Sequence, residues 1–290
     1  MRPFKSPLPK QTGPSFLVLR GKKIPIGEKT LVMGVLNVTP DSFSDGGKYL
    51  APEAAQRRLE ELVNQGADFV DVGAESTRPE ASPVSSQEEI DRLLPVLKAW
   101  KKEWNAILSV DTYKSEVAKV ALEHGASLVN DVTALSGDSL LGEVVAASGA
   151  GVVLMHMKGT PQTMQKKPDY RDVISEILAF FEERLGKAVR LGIKEESILL
   201  DPGIGFGKTV SHNLEILRRL RELTVLGRPL LIGPSRKSFI GNILNLPVEE
   251  RLFGTAGAIS AAILNGADMV RVHDVVEMKQ VARVVDAVGR

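Results

Sequence analysis

One phrase of apolar and polar positions recurs along the chain: Gly-Ala, an apolar run, then a polar end. It reads GADFVDV at 66–72, GASLVND at 125–131, GAGVVLMH at 149–156 and GADMVRVH at 266–273. Stretches with helical spacing precede these copies, such as Ala55, Leu59 and Leu62, or Ala118, Ala121 and Leu122. Apolar residues three and four apart line one face of a helix. Glycine just past a helix end takes the left-handed conformation at little cost, and a strand follows at once. A short helix-to-strand turn repeated in this way belongs to a parallel α/β protein.

The same logic predicts eight strands, at about 31–37, 68–74, 107–111, 127–132, 151–156, 197–201, 229–233 and 268–273. Helical stretches separate them. One near 86–103 opens with SSQEE at 85–89, a doubled capping-box pattern. Another near 172–191 carries Val173, Ile177, Phe181 and Leu185 on one face and stops at Gly192. Residues 15–27 read as a small β-hairpin that plugs the barrel floor. The expectation is an α/β fold, a closed (β/α)₈ TIM barrel forming a single domain over 15–290, after a flexible extension at 1–14. An open doubly wound sheet is the alternative, since the count of units alone separates the two.

Turns entering the strands are short, whereas those leaving the first, second and seventh strands are long, about 37–51, 74–86 and 234–249. Barrel chemistry sits on the loops that leave the strands, and long loops there serve as lids or binding loops. The strand ends carry Asn37, Glu75 to Arg78, Asp111, Asn130 and Asp131, His156, Asp201, Ser235 to Lys237, Arg271 and His273. Such a ring is costly as packing, because buried polar groups need partners. Plain readings compete for some members. Asp71 and Asp131 suit capping or pairing within the barrel, His156 suits a satisfied core histidine, Asp41 suits a turn, and Arg236 suits a surface charge.

Two constellations stand out. Asp111, Asn130, Asp201 and Lys237 suit a flat heterocycle with adjacent N–H donors, which a carboxylate can accept in pairs. Arg78, Arg271 and His273, with Ser76 and Thr77, suit a phosphate or pyrophosphate. Arg271 and His273 are two apart on a strand and so face one side.

Composition narrows the class without changing the picture. The 290 residues are 43% apolar, enough for one large core, and 37 Lys+Arg against 36 Asp+Glu give no pull toward nucleic acid or an anionic membrane. With no cysteine, disulfides, thiolate metal sites and cysteine nucleophiles are excluded, and a cytoplasmic enzyme is the simple expectation. The first residues have no apolar core of a signal peptide, and no apolar run approaches a membrane span. GIGFGKT at 203–209 fails as a Walker A loop because Pro202 stands where its first glycine belongs. His124, His156, His212 and His273 show no zinc spacing, so a metal here would be a hard cation such as Mg²⁺.

Taken in order, the motifs resemble those of the dihydropteroate synthase family: MGVLNVTPDSFSDGG at 33–47, DVGAESTRP at 71–79, SVDT at 109–112, VNDV at 129–132, LMHM at 154–157, LDPGIGFGK at 200–208, SRKSFI at 235–240 and RVH at 271–273. The resemblance implies condensation of hydroxymethyl-dihydropterin pyrophosphate with p-aminobenzoate, giving dihydropteroate and pyrophosphate. It implies that Asp111, Asn130, Asp201 and Lys237 hold the pterin beside Met155 and Phe206. Thr77, Arg78, Arg271 and His273 would hold the pyrophosphate, and Asn37 would ligate Mg²⁺. Thr39, Pro40, Phe43 and Ser238 would shape the p-aminobenzoate pocket, with Asp41, Asp111 and Lys237 as catalytic groups. The resemblance also implies a homodimer. A methyltetrahydrofolate–corrinoid methyltransferase shares the pterin-facing positions but has no need of the pyrophosphate cluster or the Thr39–Phe43 loop. A non-catalytic pterin-binding paralogue is the rival of a different class.

Overall fold

The alternation expected from the sequence is realised strand by strand in the computed structural model, which describes residues 16–39, 51–76, 83–160, 163–164 and 168–289. Eight parallel strands form the barrel: β3 (Leu31–Asn37), β4 (Phe69–Gly73), β5 (Ile107–Asp111), β6 (Leu128–Asp131), β7 (Gly151–Met155), β8 (Ile198–Asp201), β9 (Leu231–Ile232) and β10 (Met269–Val272). The order β8-β7-β6-β5-β4-β3-β10-β9 leaves one seam. A parallel bridge from Leu200 to Leu230 closes it, with Leu200 N donating to Pro229 O at 3.0 Å. That bridge removes the open-sheet alternative.

An outer layer of α1 (Ala51–Asn64), α2 (Ser86–Ala99), α3 (Ser115–Glu123), α4 (Leu141–Ser148), α5 (Val173–Arg190), α6 (Val210–Arg219), α7 (Ser238–Leu244), α8 (Leu252–Leu264) and α9 (Val275–Gly289) covers the strands. Outward residues such as Val70, Val110, Val152 and Val270 pack under helix residues such as Leu59, Leu93, Val117 and Ile259. Inward residues at the opposite end from the loops are also apolar. Met33, Phe69, Leu128, Val153, Leu199, Leu231 and Met269 join Leu17, Leu19, Ile24 and Ile26 in a separate core. The last four belong to the antiparallel hairpin β1 (Phe16–Leu19) and β2 (Lys22–Pro25) or follow it directly, so the hairpin does plug the floor. Ser197 Oγ donates to Val18 O at 2.6 Å and ties it to the barrel. The extension expected at 1–14 lies outside the described residues.

Three details differ from expectation. Helix α2 ends at Ala99 rather than near 103, because Trp100 turns extended and packs edge-on against Trp104 with ring centroids 5.1 Å apart. Only half of its capping box forms. Ser85 accepts from Glu88 N, but Glu88 pairs with Arg92, and Glu89 turns inward to Lys114. The stretch after β9 is not structureless, since α7 occupies 238–244.

Candidate active site

Period-two geometry brings the polar residues together. On β4, Phe69, Asp71 and Gly73 face inward while Val70 and Val72 face the helices. Register places Asp71 beside Ser109, Gly73 beside Asp111, and Asp111 beside Asn130. A Cβ on Gly73 would lie 3.2 Å from that of Asp111, so the glycine leaves room for the carboxylate.

Asp71 is wholly buried and fully engaged. It accepts from Ser109 Oγ at 2.5 Å, Asn130 Nδ2 at 2.9 Å and Arg271 Nε at 2.7 Å. Arg271 Nη2 reaches Asp111 at 2.8 Å, so one guanidinium bridges two carboxylates. The two constellations read separately from the sequence therefore meet at Arg271. Its Nη1 has no hydrogen-bond partner among the described residues, which leaves a donor edge for an anion. Burial pushes Asp111 up to about 7; Arg271 opposes this and Asp71 reinforces it. Asp111 thus holds a proton more readily than an exposed carboxyl.

Asp201, at the end of β8, turns one oxygen to Gly203 N at 2.7 Å, and its other oxygen has no hydrogen-bond partner among the described residues. Burial raises its carboxyl, with Lys237 pulling the other way. Lys237 donates to Ile204 O and holds its ammonium 4.6 Å above the Phe206 ring. Burial lowers Lys237 to about 8, against the attraction of Asp201. Met155 is paired in register with Asp201, so a flat ligand entering between Asp201 and Lys237 would meet both Met155 and Phe206.

Phe206 lies in a loop, 202–209, whose path requires glycine. Gly203 and Gly207 have φ of +68° and +62°, and a Cβ on either would sit 2.0 Å from His156 O or 2.4 Å from Lys158 O. This close backbone contact, rather than a nucleotide loop, explains the glycine-rich motif.

His273 lies just past β10, with Nδ1 3.0 Å from Ser235 Oγ. Burial, then Arg271 and Arg236, push it down to about 4, so it meets a ligand as a neutral imidazole. Asn37 closes β3 at the level of Gly73, and Thr39 follows it, half-buried. Ser238 is exposed at the start of α7. Pro40, Asp41, Phe43, Thr77 and Arg78 lie outside the described residues, as do the loop segments that carry them.

The plain readings fare unevenly. Asp131 caps a turn, accepting from Thr133 N and Oγ1 at 2.7 Å and from Leu135 N at 2.5 Å. His156 is a satisfied core histidine whose ring contacts Lys208 and, edge-on, Phe180. Arg236 is not a free surface charge, because Asp274 holds its side chain at 3.0 and 2.5 Å. Asp71, read as capping or pairing within the barrel, does pair there, and is the hub of the layer. An acid among otherwise apolar strand residues, two positions before Gly73, was the available signal. Ser109 shares its parity, and the sequence reading passed over it. Lys114 was also missed: its Nζ lies 2.7 Å from Glu75, Glu89 and Val84 O, at the neck of the second loop.

The model for the family described as "Pterin binding enzyme" matches residues 33–273. A dihydropteroate synthase of Synechocystis is 47% identical over 265 residues, 91% of this chain and 92% of that protein. A crystal structure of dihydropteroate synthase from Clostridium difficile, in the presence of pteroic acid, superposes with a TM-score of 0.86 at 44% identity, covering 92% of this chain and 99% of that one. The Xanthomonas albilineans enzyme with 4-aminobenzoic acid gives 0.88 at 40% identity, covering 96% and 98%. With the family model matching most of its length and relatives at this identity over nine-tenths of it, the chain belongs to the dihydropteroate synthase family.

Proposed function

We infer that the protein is a transferase that condenses hydroxymethyl-dihydropterin pyrophosphate with p-aminobenzoate in folate biosynthesis. The observation that carries this reading is the layer joining Asp71, Arg271 and Asp111, with Asp201 and Lys237 at the same mouth. The free edge of Asp201 suits the adjacent ring N–H and amino donors of a pterin, and Asn130 and Lys237 suit its remaining polar edge. Met155 and Phe206 offer apolar faces. The Nη1 edge of Arg271, without a partner among the described residues, and the neutral His273 suit a pyrophosphate, joined by Thr77 and Arg78 from the sequence.

Chemistry follows from charge placement. The methylene carbon loses its bond to pyrophosphate oxygen and gains one to the aryl nitrogen, which releases one proton. An arylamine needs no strong base, so the residues act mainly by orientation and electrostatics. Asp111, and Asp41 from the sequence, would stabilise positive charge at the methylene, while Arg271 offsets charge on the leaving group. Thr39 and Ser238, with Pro40 and Phe43, would flank the arylamine.

Asn37 fits a supporting place for Mg²⁺. It offers one neutral oxygen at a strand end, and among the described residues no three His, Asp or Glu gather as a metal site. Mg²⁺ commonly keeps waters and takes its other oxygens from substrate phosphates. Bound there, it would neutralise charge on the pyrophosphate. A homodimer is supported by the uncharged exposed positions Phe253, Gly257 and Leu264 on α8, beside Val284 and Val288 on α9. The absence of cysteine supports a cytoplasmic setting.

The test is pyrophosphate release by the purified protein with Mg²⁺. Release is expected only when both substrates are present. Pterin binding without release would leave a non-catalytic binder, and methyl transfer to a corrinoid would favour the rival enzyme.

A further inference from the structure

Lys208, itself part of the 202–209 loop, is buried and touches none of the groups assigned to the reaction except through that loop. Its Nζ donates to Phe206 O at 2.9 Å and to His156 O at 3.3 Å, and lies 3.0 Å from His156 Nδ1. Burial, then the Lys208 charge, drives the imidazole far below its ordinary range, so Nδ1 serves as an acceptor. Three ammonium protons thus meet three acceptors. Burial also pulls Lys208 down to about 7, with Asp201 opposing. Keeping a cation dry is costly, and apolar packing would hold two loops together at less expense. What the cation adds is direction: it fixes the Phe206 carbonyl against the end of β7.

The opposite face of the same loop serves the mouth. Ile204 O accepts from Lys237, and the Phe206 ring lies beneath that ammonium. Two lysines therefore grip one short loop, Lys208 from within and Lys237 from the site. Tyr170 adds a pin at Gly207 O, 2.8 Å away, but nothing except Lys208 takes the Phe206 carbonyl among the described residues.

We propose that Lys208 is a positioning residue for the pterin, setting the Phe206 ring and, through the loop, the Lys237 ammonium. This rests on reading the mouth as the pterin site. The test is steady-state kinetics of Lys208→Met with each substrate varied in turn. Losing a charged hydrogen bond should raise the pterin pyrophosphate KM about tenfold or more, with the p-aminobenzoate KM held within about twofold. Lys208→Gln, which keeps one neutral donor for Phe206 O, should recover only part of the loss and leave the pterin pyrophosphate KM about threefold raised. An unchanged pterin KM, or equal changes for both substrates, overturns the proposal. Should the Met variant fail to fold, calorimetry of the Gln variant with the dephosphorylated pterin alcohol decides. Weakened binding supports the proposal, and wild-type affinity overturns it. Absence of pyrophosphate release by the wild-type protein would instead defeat the functional reading, so the two failures are distinct.

Discussion

The floor and the mouth of the barrel occupy the same inward-facing positions, two residues apart, with opposite chemistry. Phe69 is followed by Asp71, Leu128 by Asn130, Leu199 by Asp201 and Met269 by Arg271. The first member of each pair packs on the hairpin, and the second belongs to the polar layer. A rise of about 6.6 Å separates an apolar plug from a bridged ion cluster. Cohesion and chemistry are therefore divided along the barrel axis, and substitutions at the two levels should fail in different ways.

Arg271→Ala strikes the mouth hardest. It removes the donor proposed for the leaving group and strands two carboxylates, one of them wholly buried. The expected fall in kcat/KM for pterin pyrophosphate is about 10²–10³-fold. Stability should fall by about 3–5 kcal/mol, the usual cost of breaking a buried pair. Affinity for the dephosphorylated pterin should change much less. Equal losses for both ligands would erase the proposed anion role of Arg271 and leave it a structural member of the layer.

Leu19→Ala tests the floor. Leu19 is buried on the hairpin and touches nothing at the mouth. A loss of about 2–5 kcal/mol in urea unfolding is expected, with both KM values unchanged. A shifted KM would show that floor packing is transmitted to the site, and the division along the axis would not hold.

A pH dependence is expected from Asp111. Its folded-state value lies near 7, above the ordinary 3.8, so the folded protein holds the proton more tightly. Below 3.8 both states are protonated and no cost arises; above about 7 both are ionised and burial of the charge is fully felt. Stability of the wild type relative to Asp111→Asn should therefore decline as pH rises from about 4 to about 7. Parallel unfolding curves across that range would mean that Arg271 cancels the burial cost.

Much of this could be read directly from the chain. Helical spacing, glycine stops and apolar runs are local signals, and they placed all eight barrel strands and the hairpin to within two residues at each end. Parity along a strand also marked Arg271 and His273 as neighbours. Asp71 shows where that reasoning stops. Its parity was visible, but a carboxylate gains its meaning from Ser109, Asn130 and Arg271, which lie 38, 59 and 200 residues away in the chain. Barrel closure, the joining of two apparent constellations by one guanidinium, and the burial of Lys208 likewise depend on contacts between distant segments. Local patterns specify which face each residue takes, because backbone geometry repeats every two or 3.6 residues. Which groups share a charge or a proton depends on distance and burial, and those exist only once the barrel has closed.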